Sequence, residues 1–551
     1  MRSYRHILAI LFCISLLYTA QAQFVGAEIV WQDHQRIQQI TDSTSADSSS
    51  FFLRSASMGF LSRFVGQSFK KPSIQLSLVN YTLHQNDRIT LSDNDGSMIP
   101  ALGMQQRITL GARMQYKNWF LQLQPEYVTA ENTQPETFSG DPNNGNYWPR
   151  YYLYTINKID ALTRFGKTKY QRWLPGQSRL SYQHKQISAG ISTENLWWGP
   201  GIRNSLVLTN QAPGFLHFSV NSTKPIPTKW GNIEFQAVWG WLNKTPFLSE
   251  EDSIMRNIWA GGILGKPDTV NRGILGYQFV FNPKWTPHLY IGFSGVSYFY
   301  TKYVGAKASP ELLLPHENKA RPARLGAISL RYLMPKERAE LYMEYGRANR
   351  WAAPWNVFGD TIPTGYMAGF RKLIPLKLGK KASYLSLHAE ITQLQLPDAR
   401  LVYNPAAPLS IPKTNSWYTH PYVTQGYTNE GQVMGAGIGP GSNSQSLFLS
   451  WIQGKKRIGL QVERVANNND FAIYSNFSGT IGSGTADRYW VNMQYGINAQ
   501  WDIGPWLISG FYQYTHALNY RWVKLHSIFS EPSEADRVNK RFSITLTRFF
   551  N

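Results

Sequence analysis

From about Ser73 to the end of the chain, apolar and polar positions alternate with a period of two. In WVNMQYGINAQW, Val491, Met493, Tyr495, Ile497, Ala499 and Trp501 fall on one face, and Asn492, Gln494, Asn498 and Gln500 on the other. Successive side chains of a strand point to opposite faces, so such a segment has one apolar and one polar side. RITLGARMQYKNWFLQLQPEY does this twice around Lys117-Asn118, setting Ile108, Leu110, Met114, Tyr116, Trp119, Leu121 and Leu123 against Arg107, Arg113, Gln122, Gln124 and Glu126. LFLSWIQGKKRIGLQVE repeats the pattern, with Leu447, Leu449, Trp451, Ile458, Leu460 and Val462 opposite Ser446, Ser450, Gln461 and Glu463. Strands of about ten residues with aromatic ends fit the lipid-spanning length and aromatic girdles of an outer-membrane barrel. The alternative, a set of soluble sandwiches, would turn the polar faces to water.

The alternation predicts eighteen strands, near 73–83, 105–116, 119–129, 179–184, 187–194, 214–221, 232–241, 272–281, 287–297, 322–332, 338–346, 366–373, 383–394, 444–453, 457–465, 488–501, 505–514 and 541–550. Between them, long gaps such as 84–104, 130–178, 195–213 and 395–443 alternate with short ones such as 117–118, 185–186 and 454–456. Barrels of this class have an even strand number, short periplasmic turns and long extracellular loops. The predicted fold is therefore all-β, a single transmembrane antiparallel β-barrel over 73–551 with both termini periplasmic. In the last strand, Phe542, Ile544, Leu546 and Phe550 face lipid, and the terminal aromatic is what barrel-insertion machinery is expected to read.

Composition adds the compartment. Arg2 and Arg5, an apolar run from Ile7 to Tyr18 and Ala20-Gln21-Ala22 make a secretory signal, so residues 1–22 are expected to be cleaved and 23–72 to form a short periplasmic N-terminal segment. The single cysteine, Cys13, lies inside the signal, leaving the mature chain without a thiol. No Ser/Gly or Pro-rich linker divides the 551 residues, and after the signal no apolar run is long enough for a membrane helix. The setting is the outer membrane of a Gram-negative bacterium, with the loops facing outward.

One segment departs from the alternation. ENLWWGPGIRNSLVLTN, Glu194 to Asn210, follows Ile187, Ala189 and Ile191 (outward) and Ser188, Gly190 and Ser192 (inward), which places Glu194 in the lumen near its top and Trp197-Trp198 at the start of an extracellular loop. Gly199 and Gly201 permit unusual backbone angles and close approach, and Pro200 stiffens the turn between them. With WGNIEFQAVWGWL after it, this segment resembles the Wzi-type capsule assembly family, outer-membrane barrels that hold capsular polysaccharide at the cell surface. The sharpest part is Trp198-Gly199-Pro200-Gly201 with Ser205 to Asn210. The resemblance implies an eighteen-stranded barrel and a polysaccharide partner. Family members can carry a periplasmic helical bundle, whereas Gln23 to Arg54 here offers at most one helix, from about Glu28 to Ile40.

Candidate ligand contacts are Glu194, Trp197, Trp198 and Arg203 in this segment, with Trp148 and Arg150, Trp351 and Trp355, and Trp417 in other loops. Flat rings stack on sugar faces, and arginines between them favour an acidic capsular or exopolysaccharide. The bland reading of the same rings is loop packing, with Trp197 to Gly201 an architectural latch over the barrel mouth that leaves Arg203 and one tryptophan facing the ligand. The net charge of +21 fits lipopolysaccharide phosphates at the rim or a positive lumen lined by Arg107, Arg113 and Arg331. Nucleic acid is not an expected partner, since no such motif occurs. The scattered histidines have no ligand spacing, so no metal or cofactor is expected. His388 and Glu390 share an inward face and Asp487 adjoins Arg488, but no nucleophile, base and carboxylate share a recognisable pattern, so no enzyme activity is expected. The leading function is surface retention of polysaccharide. The runner-up is a channel for sugars or other polar solutes, which would require 130–178 and 395–443 to leave the pore open.

Overall fold

The computed structural model describes residues 27–41, 49–57, 69–136, 151, 154–247, 271–303, 322–348, 363–377, 381–396, 415–478, 489–522 and 535–550. Eighteen antiparallel strands close into one barrel. They are β1 (Phe69–Asn86), β2 (Gly103–Lys117), β3 (Trp119–Leu123 continued by Glu126–Ala130), β4 (Tyr170–Leu174 continued by Arg179–His184), β5 (Ile187–Ser192) and β6 (His217–Ser222). Then come β7 (Gly231–Leu242), β8 (Arg272–Pro283), β9 (Leu289–Tyr300), β10 (Ala323–Met334), β11 (Ala339–Ala348) and β12 (Thr364–Leu376). The remainder are β13 (Ser383–Gln393), β14 (Asn443–Gln453), β15 (Lys456–Ala466), β16 (Val491–Ile503), β17 (Trp506–Leu518) and β18 (Arg537–Phe549). The seam joins first strand to last, from Leu78 opposite Phe549 to Asn86 opposite Arg541.

The pleat is inverted relative to a water-soluble core. Leu110, Leu460, Tyr495 and Ile497 are exposed on the outer surface, while Gln494, Asn498, Gln513 and Asn539 are buried inside it. This is the arrangement that the alternation predicts for a wall between lipid and a polar interior.

One expected strand was too short. The segment predicted at 179–184 is the lower half of β4, whose upper half, Tyr170–Leu174, pairs with Glu126–Ala130 of β3. Proline cannot donate to a ladder, and Pro125 and Pro175 lie in the breaks of adjacent strands. The breaks meet where the Gln177 N–H donates to the Gln124 carbonyl at 3.1 Å. Gly176 there has a φ of +58°, and a Cβ would sit 2.3 Å from that carbonyl. The Leu-Pro-Gly-Gln sequence thus reads as the start of a turn although the strand resumes after it.

Helix α1 (Ala27–Thr41) lies within the short-turn end of the barrel, the periplasmic side. Its Ile37 and Ile40, together with Phe52, pack against Val280, Tyr290, Leu333, Leu373 and Ile452 near the bottoms of five strands. Residues 49–57 continue into the lumen, where Leu53 and Arg54 pair antiparallel with Trp198 and Trp197. The expected signal peptide, 1–22, lies outside the described residues.

Candidate functional site

The connection between β5 and β6 turns into the barrel and crosses it. Its backbone donors are met by carboxylates on the inner wall. Glu390 of β13 accepts the N–H groups of Ile202 (2.9 Å), Arg203 (3.0 Å) and Asn204 (2.7 Å), and the Tyr342 hydroxyl at 2.8 Å. Glu344 of β11 accepts Leu206 N–H at 2.9 Å and the Ser205 hydroxyl. Glu463 of β15 takes the Arg203 guanidinium at 2.9 Å, and Asp93, from the connection after β1, takes its other side at 2.5 Å. Burial alone would lower the Arg203 pKa, but Asp93 and Glu463 together raise it above its ordinary value.

This close approach explains the glycines. Gly199 has a φ of +121°, and a Cβ there would lie 2.2 Å from Glu344 Oε1. At Gly201 a Cβ would be 1.7 Å from the Asn204 carbonyl, so the turn that offers three successive N–H groups to Glu390 admits no side chain. The Pro200 carbonyl accepts Arg36 Nη1 of α1 at 2.7 Å. The turn is thus one side chain away from the periplasmic helix, and the expected latch over the barrel mouth is instead a plug deep in the lumen.

Large rings anchor the plug in sockets in the wall. Trp198 is fully buried and donates its indole N–H to Gln236 at 2.8 Å. A Cβ on Gly276 of β8 would meet its ring at 2.9 Å. Trp417, also fully buried, sits over Gly346 of β11 in the same way, at 2.8 Å. Residues 415–442 form a second inward segment, whose Tyr418 hydroxyl donates to the Leu206 carbonyl at 2.8 Å. Tyr418 and Tyr427 stack at 5.7 Å between centroids, in one core with Leu206, Leu208 and Met434.

The expected ligand residues therefore separate into groups. Trp198 and Trp417 are sealed into packing and present no face to a sugar. Glu194 is also fully buried, 3.5 Å from Arg179 and hydrogen-bonded to Ser57 at 2.9 Å, rather than near the top of the lumen. Burial raises its pKa against the pull of Arg179. Trp197, beneath the Arg54 guanidinium at 4.4 Å, and Arg203 both border an inner chamber. Trp148, Arg150, Trp351 and Trp355 lie outside the described residues. Of the inward arginines, Arg331 pairs with Glu340 at 2.7 Å, Arg107 donates to the Asp95 carbonyl and Arg113 to Gln122. Carboxylates thus neutralise part of the positive lumen. His388 accepts or donates at 2.7 Å with the same Tyr342 hydroxyl that serves Glu390, so that pair belongs to the plug's support. Wall carboxylates as plug acceptors were not singled out from sequence. Their only signal is an acid at an inward position of a strand, which Glu344, Glu390 and Glu463 share.

A family model for the capsule assembly protein Wzi matches residues 86–519. The chain belongs to the Wzi capsule assembly family. Among solved structures it is similar to Wzi of Escherichia coli, described as an outer-membrane protein involved in group 1 capsule assembly and a carbohydrate-binding β-barrel. The identity is 14% and the TM-score 0.52, over 85% of this chain and 83% of that one. Less similar are the Pseudomonas aeruginosa protein OccK5 (11% identity, TM-score 0.39, 87% and 99% covered) and Acinetobacter baumannii OccAB2 (11%, 0.40, 88% and 100%). No curated protein matches by sequence. As a Wzi-family barrel the protein resides in the outer membrane, with its long connections on the extracellular side.

Proposed function

We propose that this Wzi-family barrel retains an acidic capsular or exopolysaccharide at the cell surface, binding it without chemical change. The observation that carries the reading, beside family membership, is the filled lumen. The connection 195–213 is fixed to the wall by Glu390 and Glu344, and 415–442 packs against it in one buried core, which favours a holder over the channel alternative. Trp148, Arg150, Trp351 and Trp355 in the long outer connections supply the aromatic and cationic chemistry that a polyanionic sugar needs. Trp198, Trp417 and Glu194 serve packing inside the lumen. Around this function, lipid covers the outward apolar face, lipopolysaccharide phosphates meet the basic rim, and insertion machinery reads the terminal Phe550.

Deleting the gene should shift polysaccharide from the cell surface to the medium with total synthesis unchanged, because a retainer acts after polymerisation and export. Unchanged cell-associated polymer would reject the role, and loss of polymer from both fractions would point to export.

A further inference from the structure

Beneath the plug lies a chamber of about 170 Å³ that the proposed surface function does not use. It reaches the periplasmic turn at Gly454 and Lys455 and extends up the β14 to β18 wall as far as Arg541. Its roof is the underside of the plug at Trp197, Ile202 and Arg203, and one side is α1. A cavity of about 150 Å³ accepts one six-membered ring.

Several donors at this chamber have no protein partner among the described residues. Trp197 is nearly fully buried, yet its indole N–H is unmatched. Arg36, equally buried, uses Nε on Glu340 and Nη1 on Pro200 but leaves Nη2 unmatched. Arg54 donates from Nη2 to the Gly199 and Gly201 carbonyls, leaves Nε unmatched, and has no carboxylate in ion-pair range among the described residues. Arg203, Arg371, Arg457 and Arg541 also line the chamber, and its acids are Asp33 and Asp93, so the lining carries an excess of positive charge that suits an oxyanion. On the barrel wall the chamber also meets Asn498, buried with both amide atoms unmatched, beside Ser450 and the ring of Phe511. An amide that can both donate and accept, next to an aromatic ring, suits a hydroxylated ring better than a bare anion.

We infer that this chamber binds a single acidic sugar entering from the periplasm, its carboxylate held by Arg36, Arg54 and Trp197 and its hydroxyls by Asn498. The site is separate from the outer connections proposed to hold polymer, and it faces the opposite compartment.

Glucuronate is the probe, with glucose and inorganic phosphate as controls, titrated calorimetrically into the purified full-length protein in detergent. Saturable glucuronate binding is expected, with glucose and phosphate each at least about tenfold weaker. Trp197→Phe keeps a ring under Arg54 but removes the donor, and Asn498→Leu removes the amide at similar volume. Each should weaken glucuronate about tenfold while the folded protein keeps its heat-modifiable gel migration. Phosphate binding as tightly as glucuronate, with Asn498→Leu neutral, would overturn the sugar assignment. Absence of saturable binding, or binding that neither variant alters, would overturn the chamber as a site. None of these results bears on surface retention, which the deletion measures independently.

Discussion

Glu390 should act as the central fastener of the plug. Replacing it with Ala strands the N–H groups of Ile202, Arg203 and Asn204, while Tyr342 keeps its bond to His388. A buried donor left unmatched costs about 1–3 kcal/mol, so three would cost several if nothing relaxed. Two effects reduce this: water can enter the space vacated by the side chain, and a buried carboxylate no longer has to be desolvated. A net loosening of about 3 kcal/mol remains, which favours the displaced plug by roughly two orders of magnitude. In planar bilayers, Glu390→Ala should open far more often than the parent, and limited proteolysis should cut within 195–213. Glu390→Gln retains one acceptor oxygen and should fall between the two. Gln494→Ala, which removes an inward side chain that accepts from Gln513 on the neighbouring strand and leaves Glu390 in place, should stay closed. An Ala variant as closed and as protease-resistant as the parent, with normal heat-modifiable migration, would refute the view that wall carboxylates hold the plug.

Three other outcomes follow from the geometry. Tyr495→Asp places charge on the outward face and should lower the folded fraction on a heat-modifiability gel, whereas the inward Gln494→Asp should assemble; equal behaviour would mean the faces are reversed. Gly346→Ala introduces a methyl 2.8 Å from the Trp417 ring, should cost about 1–3 kcal/mol, and should expose 415–442 to protease. Burial raises the Asp160 carboxyl to about 6 against the pull of Arg272, above its unfolded value near 4. Its protonation therefore favours the folded loop, and the Asp160 amide bonded to the Gln425 carbonyl should exchange more slowly, after correction for intrinsic rate, as pH falls from about 7 to 4. Asp160→Asn should abolish that dependence.

What could be read from the sequence was what depends on neighbours along the chain. Period-two alternation marks Tyr495 as outward and Gln494 as inward whatever lies across the lumen. The helix expected near Glu28 to Ile40 forms at Ala27–Thr41 for the same local reason. The plug was misplaced because its partners are remote: Gly201 is tight against Asn204, but Glu390, Glu344 and Glu463 come from three separate strands. In sequence these acids look like any solvated lumen carboxylate. Gly276 and Gly346 likewise read as weak points in strands, and only the ring opposite each shows it to be a socket.

The ladder of Leu53 and Arg54 with Trp198 and Trp197 bears on assembly. Residues 49–57 lie inside a ring whose seam is made by Phe69–Asn86 and Arg537–Phe549, the first and last strands. Once that seam zips, the only ways into the interior are the two ends, one occupied by α1 and the other by inward-folded chain. Because α1 belongs to the same N-terminal segment, its end of the ring stands open until that segment enters; a segment already in place before closure would let the sheet curl around it as around a mandrel. The search for the final strand pairing would then be guided from within. On that route, a chain lacking residues 49–57 would lose a template for wrapping as well as a piece of filling.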